Sequence, residues 1–244
     1  MSLIRAKKVE FNFPEIWRVF ISGSSSAGKT YFARQLLSTD LIDFKRIYYF
    51  HPDIQENFPI DWCDHFQTEI MCQAGLPTLE DINEMPPHSV IVLDDLFTEV
   101  AQSKLMSYLF RVLSSKKKLH VIVMTQRYYA EGSHGLNIRN CCNYHVLMSN
   151  ADARTNMRVA FSMNLEKDVR QAIKANEKEL YPYIVIDRTN HARVNKLQVY
   201  IDILNNTKTV VINGNVMVLV PNNVFKVNWE PTEDGYAKRK LQQS

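Results

Sequence analysis

The chain has 244 residues, of which 45% are hydrophobic and 11% aromatic, and this is enough to bury one large α/β core with a small appendage. Its formal net charge of +3 excludes a protein that binds nucleic acid over its whole surface, so any DNA contacts must be local. No segment reaches the roughly 20 apolar residues that a membrane helix requires.

The first chemical signal along the chain is a phosphate-binding loop with the sequence GSSSAGKT, which fits the pattern G-x-x-x-x-G-K-[ST]. It follows Ile16–Ser22, which predicts a buried strand, and it precedes Lys29–Leu37, whose apolar residues have helical spacing. Backbone N–H groups at such a helix start face an anion, so we expect a nucleoside triphosphate there. The predicted contacts are Gly23, Ser24, Ser25, Ser26, Ala27, Gly28, Lys29 and Thr30.

The next segment is harder to interpret. Arg46–His51 predicts a strand, whereas residues 52–87 mix aromatic residues, prolines and a short amphipathic stretch. This composition favours a variable insertion within the core.

A pair of acids then follows an apolar strand. The segment Ser89–Leu96 reads SVIVLDDL and predicts a parallel strand buried on both faces. Ligands collect at the carboxyl ends of parallel strands, so Asp94 is expected to hold Mg²⁺ together with Thr30, and Asp95 to polarise an attacking water. The alternative is that the two aspartates only cap the following helix.

A third strand also ends in a polar residue. Leu119–Gln126 reads LHVIVMTQ and follows a segment, from Val100 to Leu113, with helical apolar spacing. Strand, helix and strand form a βαβ unit, which predicts that Gln126 emerges beside the two acids, within reach of a γ-phosphate or its attacking water. By itself, a polar residue at a strand end is often only a turn initiator.

The remaining core elements are a strand, two helices and a closing strand, predicted at Tyr144–Ser149, Ala151–Phe161, Leu165–Ala175 and Tyr183–Asp187. Beyond them, Asn213-Gly214 between Thr209–Ile212 and Asn215–Val220 is a strong hairpin signal. The hairpin either covers a sheet edge or docks a neighbouring protein. We therefore expect an ATPase core over residues 1–190 and a C-terminal extension with a basic tail over residues 191–244.

The four cysteines are Cys63, Cys72, Cys141 and Cys142. They show no CxxC pairing and no secretory leader precedes them, which favours reduced thiols in an intracellular compartment. Cys63 and Cys72 could join His65 around zinc, but no fourth ligand has a usual spacing.

Taken in order, these motifs resemble the genome-packaging ATPases of the FtsK/HerA superfamily, in the branch found in poxviruses, virophages and Polinton-type elements. The resemblance covers roughly residues 15–190 and rests on GSSSAGKT, VIVLDDL, FRVLSSKKK, HVIVMTQ, IRNCCNYHVLMSN and ADARTNMRVAF. It implies a P-loop NTPase fold of the RecA-like type, with a mainly parallel sheet between helices and a C-terminal β-hairpin. Two departures are Asp95, where many relatives have Glu, and Lys116–Lys118, where viral relatives tend to show His and Arg.

The resemblance also implies a function. It predicts an ATP-driven motor that works as a homo-oligomeric ring, moves double-stranded DNA into a preformed capsid and contacts capsid proteins at a packaging vertex. Such a motor would act inside an infected cell, in the cytoplasm or a virus factory, or on the virion. The candidate patches for DNA contacts are Arg5–Lys8, Lys116–Lys118 and Lys238–Lys240, although short charge runs of this kind are usually a solvated face or tail.

A motor of this kind needs a positive charge from a neighbouring subunit at the transferring phosphoryl group. Arginine suits this role because its planar guanidinium binds phosphate oxygens in pairs and keeps its charge. The candidates are Arg127, Arg139, Arg154 and Arg158, of which Arg139 is preferred and Arg154 comes second. Two other functions stay open: a DNA helicase or conjugation-type pump, and an ATP-gated assembly switch.

Overall fold

The computed structural model describes residues 13–39, 42–53, 60–66, 68–129, 131–148, 153–189, 197–204, 208–212, 214–220, 223–231 and 237–243. Twelve strands in these ranges form one sheet. They are β1 (Arg18–Ser22), β2 (Ile47–His51), β3 (Ile70–Ala74), β4 (Val90–Asp94), β5 (His120–Thr125), β6 (Tyr144–Met148), β7 (Tyr183–Asp187), β8 (Gln198–Ile201), β9 (Lys208–Ile212), β10 (Asn215–Val220), β11 (Asn223–Pro231) and β12 (Ala237–Gln243).

The helices connect these strands and cover the sheet. They are α1 (Lys29–Leu37), α2 (Ile60–His65), α3 (Leu79–Glu84), α4 (Phe97–Gln102), α5 (Lys104–Tyr108), α6 (Ser114–Lys116), α7 (Gly135–Cys141), α8 (Ala153–Ser162) and α9 (Glu166–Asn176). A π-helical turn, Leu109–Leu113, joins α5 to α6. Within the described ranges, none of these helices is both long and apolar enough to cross a bilayer.

The sheet has a parallel half and an antiparallel half. Its strand order is β12-β11-β10-β9-β8-β7-β6-β1-β5-β4-β2-β3. All pairings from β6 to β3 are parallel, with β1 between β5 and β6, whereas all pairings from β6 to β12 are antiparallel. The predicted α/β fold with a mainly parallel central sheet and a C-terminal hairpin is confirmed.

Two hydrophobic cores cover the two faces of the sheet, because successive strand residues point to opposite faces. Phe20 of β1 lies in the first core with residues of α4, the π-helical turn and α9. Val19 and Ile21 lie in the second core with Phe32 of α1 and Trp62 of α2. Strands β1, β4 and β5 are buried along almost their whole length, as the apolar runs in the sequence predicted.

The structure differs from the predicted elements in two parts of the chain. The region predicted to include a variable insertion, residues 52–87, contains β3, which pairs with β2 and lies at one edge of the sheet. The continuous helical spacing after Val100 is divided at Ser103, whose hydroxyl accepts a hydrogen bond from the Met106 N–H at 3.2 Å and so caps α5.

The hairpin predicted around Gly214 is present as β9 and β10. It does not end the sheet, since β11 and β12 follow on its outer side. Strands before and after residue 190 belong to the same sheet. The division of the chain at residue 190 into a core and an extension stays a prediction.

Candidate active site

The predicted phosphate loop lies between β1 and α1, and its two glycines are required by close contacts. Gly28 has φ +94° and precedes the first turn of α1, where its carbonyl accepts the Phe32 N–H at 2.8 Å. A Cβ on Gly28 would lie 2.6 Å from the ring of Tyr181, and a Cβ on Gly23 would lie 2.6 Å from the Cβ of Met148. The loop therefore has no room for a side chain at either glycine.

The side chain of Lys29 lies over the loop. Its Nζ donates to the carbonyl oxygens of Gly23 at 3.0 Å and Ser24 at 2.9 Å. Burial lowers the pKa of Lys29 below its usual value, while the charges of Asp94 and Asp95 oppose that change. The ammonium is thus held by loop carbonyls, which phosphate oxygens could replace as stronger acceptors.

Asp94 ends β4, as predicted, and its carboxylate accepts a hydrogen bond from the hydroxyl of Tyr49. Burial raises the pKa of Asp94, and the Tyr49 hydrogen bond and electrostatic interactions with His51 and Lys29 offset part of that rise. Tyr49 was missed by sequence reasoning, because the pairing of β2 with β4 is not visible in the sequence. A tyrosine in an apolar strand carries no signal for this role.

The donor set beside the loop fits magnesium. Mg²⁺ prefers oxygen ligands and usually keeps several waters and substrate phosphates, so one carboxylate and one hydroxyl are sufficient protein ligands. Asp94 and Thr30 are the predicted ligands, and a divalent cation would favour the charged form of Asp94, which burial disfavours. No group of three or more His, Cys, Asp or Glu side chains that could hold a metal occurs among the described residues.

Asp95 and Gln126 meet, as their order in the sequence predicted. Gln126 Nε2 donates to Asp95 Oδ2 at 2.7 Å, and both residues are exposed. Asp95 has φ +55°, a left-handed conformation that aspartate tolerates better than most residues. Its N–H donates to the Met124 carbonyl at 3.0 Å, so the backbone anchors to β5 while the carboxylate faces solvent at the strand tips.

A hydrogen bond joins the loop to the β5 tip. The N–H of Gly23 donates to the Thr125 carbonyl at 3.1 Å. The Thr125 hydroxyl accepts the Arg127 N–H at 3.2 Å and donates to the Arg127 carbonyl at 3.1 Å, which fixes the turn that carries Gln126. The phosphate loop, the acid pair and Gln126 therefore occupy one edge of the sheet.

The structure places the candidate arginines in different environments. Arg139 is only 8% exposed, donates from Nη1 to the Tyr128 carbonyl at 3.1 Å and lies over the rings of Tyr128 and Tyr129. Because its guanidinium is buried within its own chain, this geometry does not support Arg139 as the preferred trans-acting arginine. The guanidinium carbon of Arg158 lies 4.5 Å from the Tyr129 ring centroid. Arg158, Arg127 and Arg154 are all exposed.

Arg139 belongs to a buried network that sequence reasoning also missed. The Tyr128 hydroxyl lies 2.6 Å from His145 Nδ1, and His145 Nε2 lies 3.0 Å from the Arg139 carbonyl oxygen. Burial lowers the pKa of His145 to about 3, so the ring is neutral at physiological pH. The network packs the segment after β5 against β6 and thereby supports the turn beside Gln126.

No protein-family model matches the chain, and no curated protein matches it. Solved structures do. The genome packaging NTPase B204 from Sulfolobus turreted icosahedral virus 2, in complex with AMP, is 9% identical over 77% of this chain and 98% of that chain, with a TM-score of 0.52. The same NTPase in complex with sulfate is 10% identical over 77% of this chain and 96% of that chain, with a TM-score of 0.53. In complex with ATP-gammaS it is 10% identical over 77% of this chain and 97% of that chain, with a TM-score of 0.51.

At these identities, the likeness shows the fold. The alignment covers nearly the whole of the viral NTPase and most of this chain, so the match is not confined to the phosphate loop. The predicted resemblance is confirmed at this level. The chain has the P-loop NTPase fold that the viral genome packaging NTPase B204 also has.

Proposed function

We propose that the protein hydrolyses ATP at the carboxyl edge of its parallel strands. The observation that carries the proposal is the contact between Gln126 and Asp95 next to the phosphate loop. A protein that only binds nucleotide needs the loop and its lysine. The additional carboxylate and amide, held together and facing solvent, are the groups that orient an attacking water.

In the proposed reaction, a water oxygen attacks the γ-phosphorus and the bond to the ADP oxygen breaks. Asp95, oriented by Gln126, accepts a hydrogen bond and then the proton from the water. Lys29 exchanges its loop carbonyls for phosphate oxygens and stabilises the charge on them. Mg²⁺ on Asp94 and Thr30 would supply further charge compensation at the phosphates.

We further propose that hydrolysis moves double-stranded DNA into a viral capsid, in an infected cell. The proposal rests on the predicted resemblance and on the shared fold of a viral genome packaging NTPase. In this role the protein would act as a homo-oligomeric ring at a capsid vertex, since a ring multiplies modest local charge around DNA.

A neighbouring subunit would complete the site with an arginine, and we propose Arg154 for this contact. It lies at the start of α8, which follows β6, and it is exposed, whereas Arg139 is buried. The N-terminal end of a helix that follows a parallel strand lies at the carboxyl edge of the sheet. A guanidinium there can reach across an interface more easily than one enclosed within its own chain.

The test of the function is steady-state ATP hydrolysis across protein concentration, with and without linear duplex DNA. A ring motor predicts turnover per subunit that rises steeply with concentration and is stimulated by DNA. Nucleotide binding without DNA-stimulated turnover would contradict the motor and favour an assembly switch. DNA strand separation would favour a helicase.

Mixing two inactive variants tests the trans arginine. Arg154→Ala keeps its own phosphate loop, and Lys29→Ala keeps its own Arg154, so a mixed ring contains some interfaces with both residues. We expect mixing to restore part of the turnover that each variant alone lacks. The same mixture with Arg139→Ala in place of Arg154→Ala serves as the comparison. Absence of restoration with Arg154→Ala would contradict the assignment.

A further inference from the structure

Two exposed tyrosines lie together beside the phosphate loop. Tyr31 follows Thr30 directly in the sequence, and its ring centroid is 5.2 Å from that of Tyr181, with 42° between the ring planes. We call this pair the aromatic platform. Tyr31 is 45% exposed and Tyr181 is 36% exposed, so each ring keeps surface that is open to solvent.

The antiparallel half of the sheet brings Tyr181 to this position. Strand β7 runs opposite to β6, and its first residue, Tyr183, pairs with Met148, the last residue of β6. The start of β7 therefore lies at the same edge as the ends of the parallel strands, where the phosphate loop is. The Tyr183 ring packs against Phe32 of α1 with centroids 4.6 Å apart, and this buried contact fixes the segment that carries Tyr181.

Contact with the loop itself is direct. A Cβ on Gly28 would lie 2.6 Å from Cδ1 and Cγ of Tyr181, so the ring lies against the glycine that precedes Lys29. The guanidinium carbon of Arg34 lies 5.6 Å from the Tyr31 ring centroid. Tyr181 thus contacts the loop, and Tyr31 contacts Arg34 one turn further along α1.

We propose that the aromatic platform binds the base of the nucleotide whose phosphates the loop holds. This inference rests on the proposed nucleotide site. A ribonucleotide bound through its phosphates must place its base close to the loop, and a half-exposed aromatic pair next to that loop offers a face on which the base can stack. Exposed rings elsewhere on the chain, such as Tyr108, are not adjacent to the phosphate motif in sequence.

Stacking sets the chemical class of ligand. Every base has an aromatic face, so recognition by stacking tolerates different bases and favours the larger purines. We therefore expect the platform to bind ATP and GTP with affinities within about tenfold of each other, because ring faces alone do not distinguish the hydrogen-bonding edges of the two bases.

The experiment compares a ligand that has a base with one that has none. Calorimetry would measure the binding of a non-hydrolysable methylene analogue of ATP and of inorganic tripolyphosphate, each with Mg²⁺, to the full chain and to Tyr181→Ala, Tyr31→Ala and Tyr181→Phe. Tyr108→Ala is the matched control, since Tyr108 is 46% exposed and lies in α5, next to the core on the other face of the sheet.

We expect each alanine variant on the platform to weaken analogue binding about tenfold while tripolyphosphate binding stays unchanged, because loss of one stacked ring removes base contacts and not phosphate contacts. Tyr181→Phe and Tyr108→Ala should bind the analogue as the unchanged protein does. If one alanine variant fails to fold, the other still tests the platform.

Two results would overturn the inference, and they differ in what else they affect. If the unchanged protein binds the analogue and both alanine variants bind it equally well or better, the platform has no role while the proposed phosphate site stands. If the unchanged protein binds neither the analogue nor tripolyphosphate, the phosphate site fails and the platform fails with it.

Discussion

The two halves of the sheet use carboxylates differently. In the parallel half, Asp94 and Asp95 lie at the end of β4, and Asp95 is exposed beside Gln126. In the antiparallel half, Asp168 of α9 is only 5% exposed, and its Oδ1 accepts the Gly214 N–H at 2.5 Å. The carboxylates of Asp94 and Asp95 lie at the candidate nucleotide site, whereas the carboxylate of Asp168 joins α9 to the hairpin of β9 and β10.

This difference follows from strand direction. Parallel strands all end at one edge of the sheet. Strand direction alone therefore brings together the polar residues that follow β1, β4 and β5. Antiparallel strands alternate between edges, and their turns collect no common site. The antiparallel half contributes instead through one returning strand, β7, which brings the segment before Tyr183 back to the ligand edge.

Lys29→Ala should have the largest effect in this comparison. It removes the ammonium that phosphate oxygens would engage, so we expect nucleotide binding or turnover to fall about a hundredfold or more. Phosphate release and calorimetry would measure both quantities. Lys174→Ala, at an exposed lysine of α9, is the control in the antiparallel half and should leave both unchanged; an equal loss there would indicate a general effect of lost charge.

Tyr49→Phe should have a smaller effect that depends on pH. The Tyr49 hydroxyl stabilises the ionised form of Asp94, so its removal raises the pKa of Asp94. The acid limb of the pH–rate profile should then move to higher pH, since a hydrogen bond to a charged group stabilises the charged form. Turnover well above that limb should change little.

The neighbouring tyrosine provides the control for this shift. Tyr48 lies in the same strand, packs against the core on the other face of the sheet and should tolerate Tyr48→Phe without a change in the profile. An acid limb that stays in place in Tyr49→Phe would show that Asp94 ionisation does not limit the rate.

Asp168→Ala should change stability and leave turnover unchanged. It leaves the partly buried Gly214 N–H without its acceptor, and the loss of a hydrogen bond costs about 0.5–1.5 kcal/mol in the free energy of unfolding. Urea unfolding would measure this loss, with Glu166→Ala in the same helical turn as the control for the charge at the helix start. Lower ATP turnover by Asp168→Ala under conditions where the variant is fully folded would contradict the view that the antiparallel half does not take part in hydrolysis.

The parallel half was largely predictable from the sequence. Each of its central strands is an apolar run, and the residues after those runs carry recognisable chemistry: Lys29 and Thr30 after β1, Asp94 and Asp95 with β4, and Gln126 after β5. Predicted boundaries differ from the observed ones by one or two residues at β1, β4 and β5.

What could not be predicted depends on contacts between distant segments. The Tyr49 hydroxyl acts on Asp94 because β2 pairs with β4, and Tyr181 reaches Gly28 because β7 reverses direction. Arg139 was preferred for its place before β6, but its side chain lies over the rings of Tyr128 and Tyr129 within its own chain. Sequence spacing gives the edge on which a residue lies and not the direction of its side chain.

The most direct test of the account is Asp95→Asn, with nucleotide affinity and phosphate release measured on the same preparation. Asparagine keeps an oxygen for Gln126 Nε2 and tolerates the left-handed backbone, so we expect ATP to bind as in the unchanged protein. Turnover should fall about a hundredfold or more, because the base that accepts the proton of the water is lost. Unchanged turnover in Asp95→Asn would contradict the proposed site of hydrolysis.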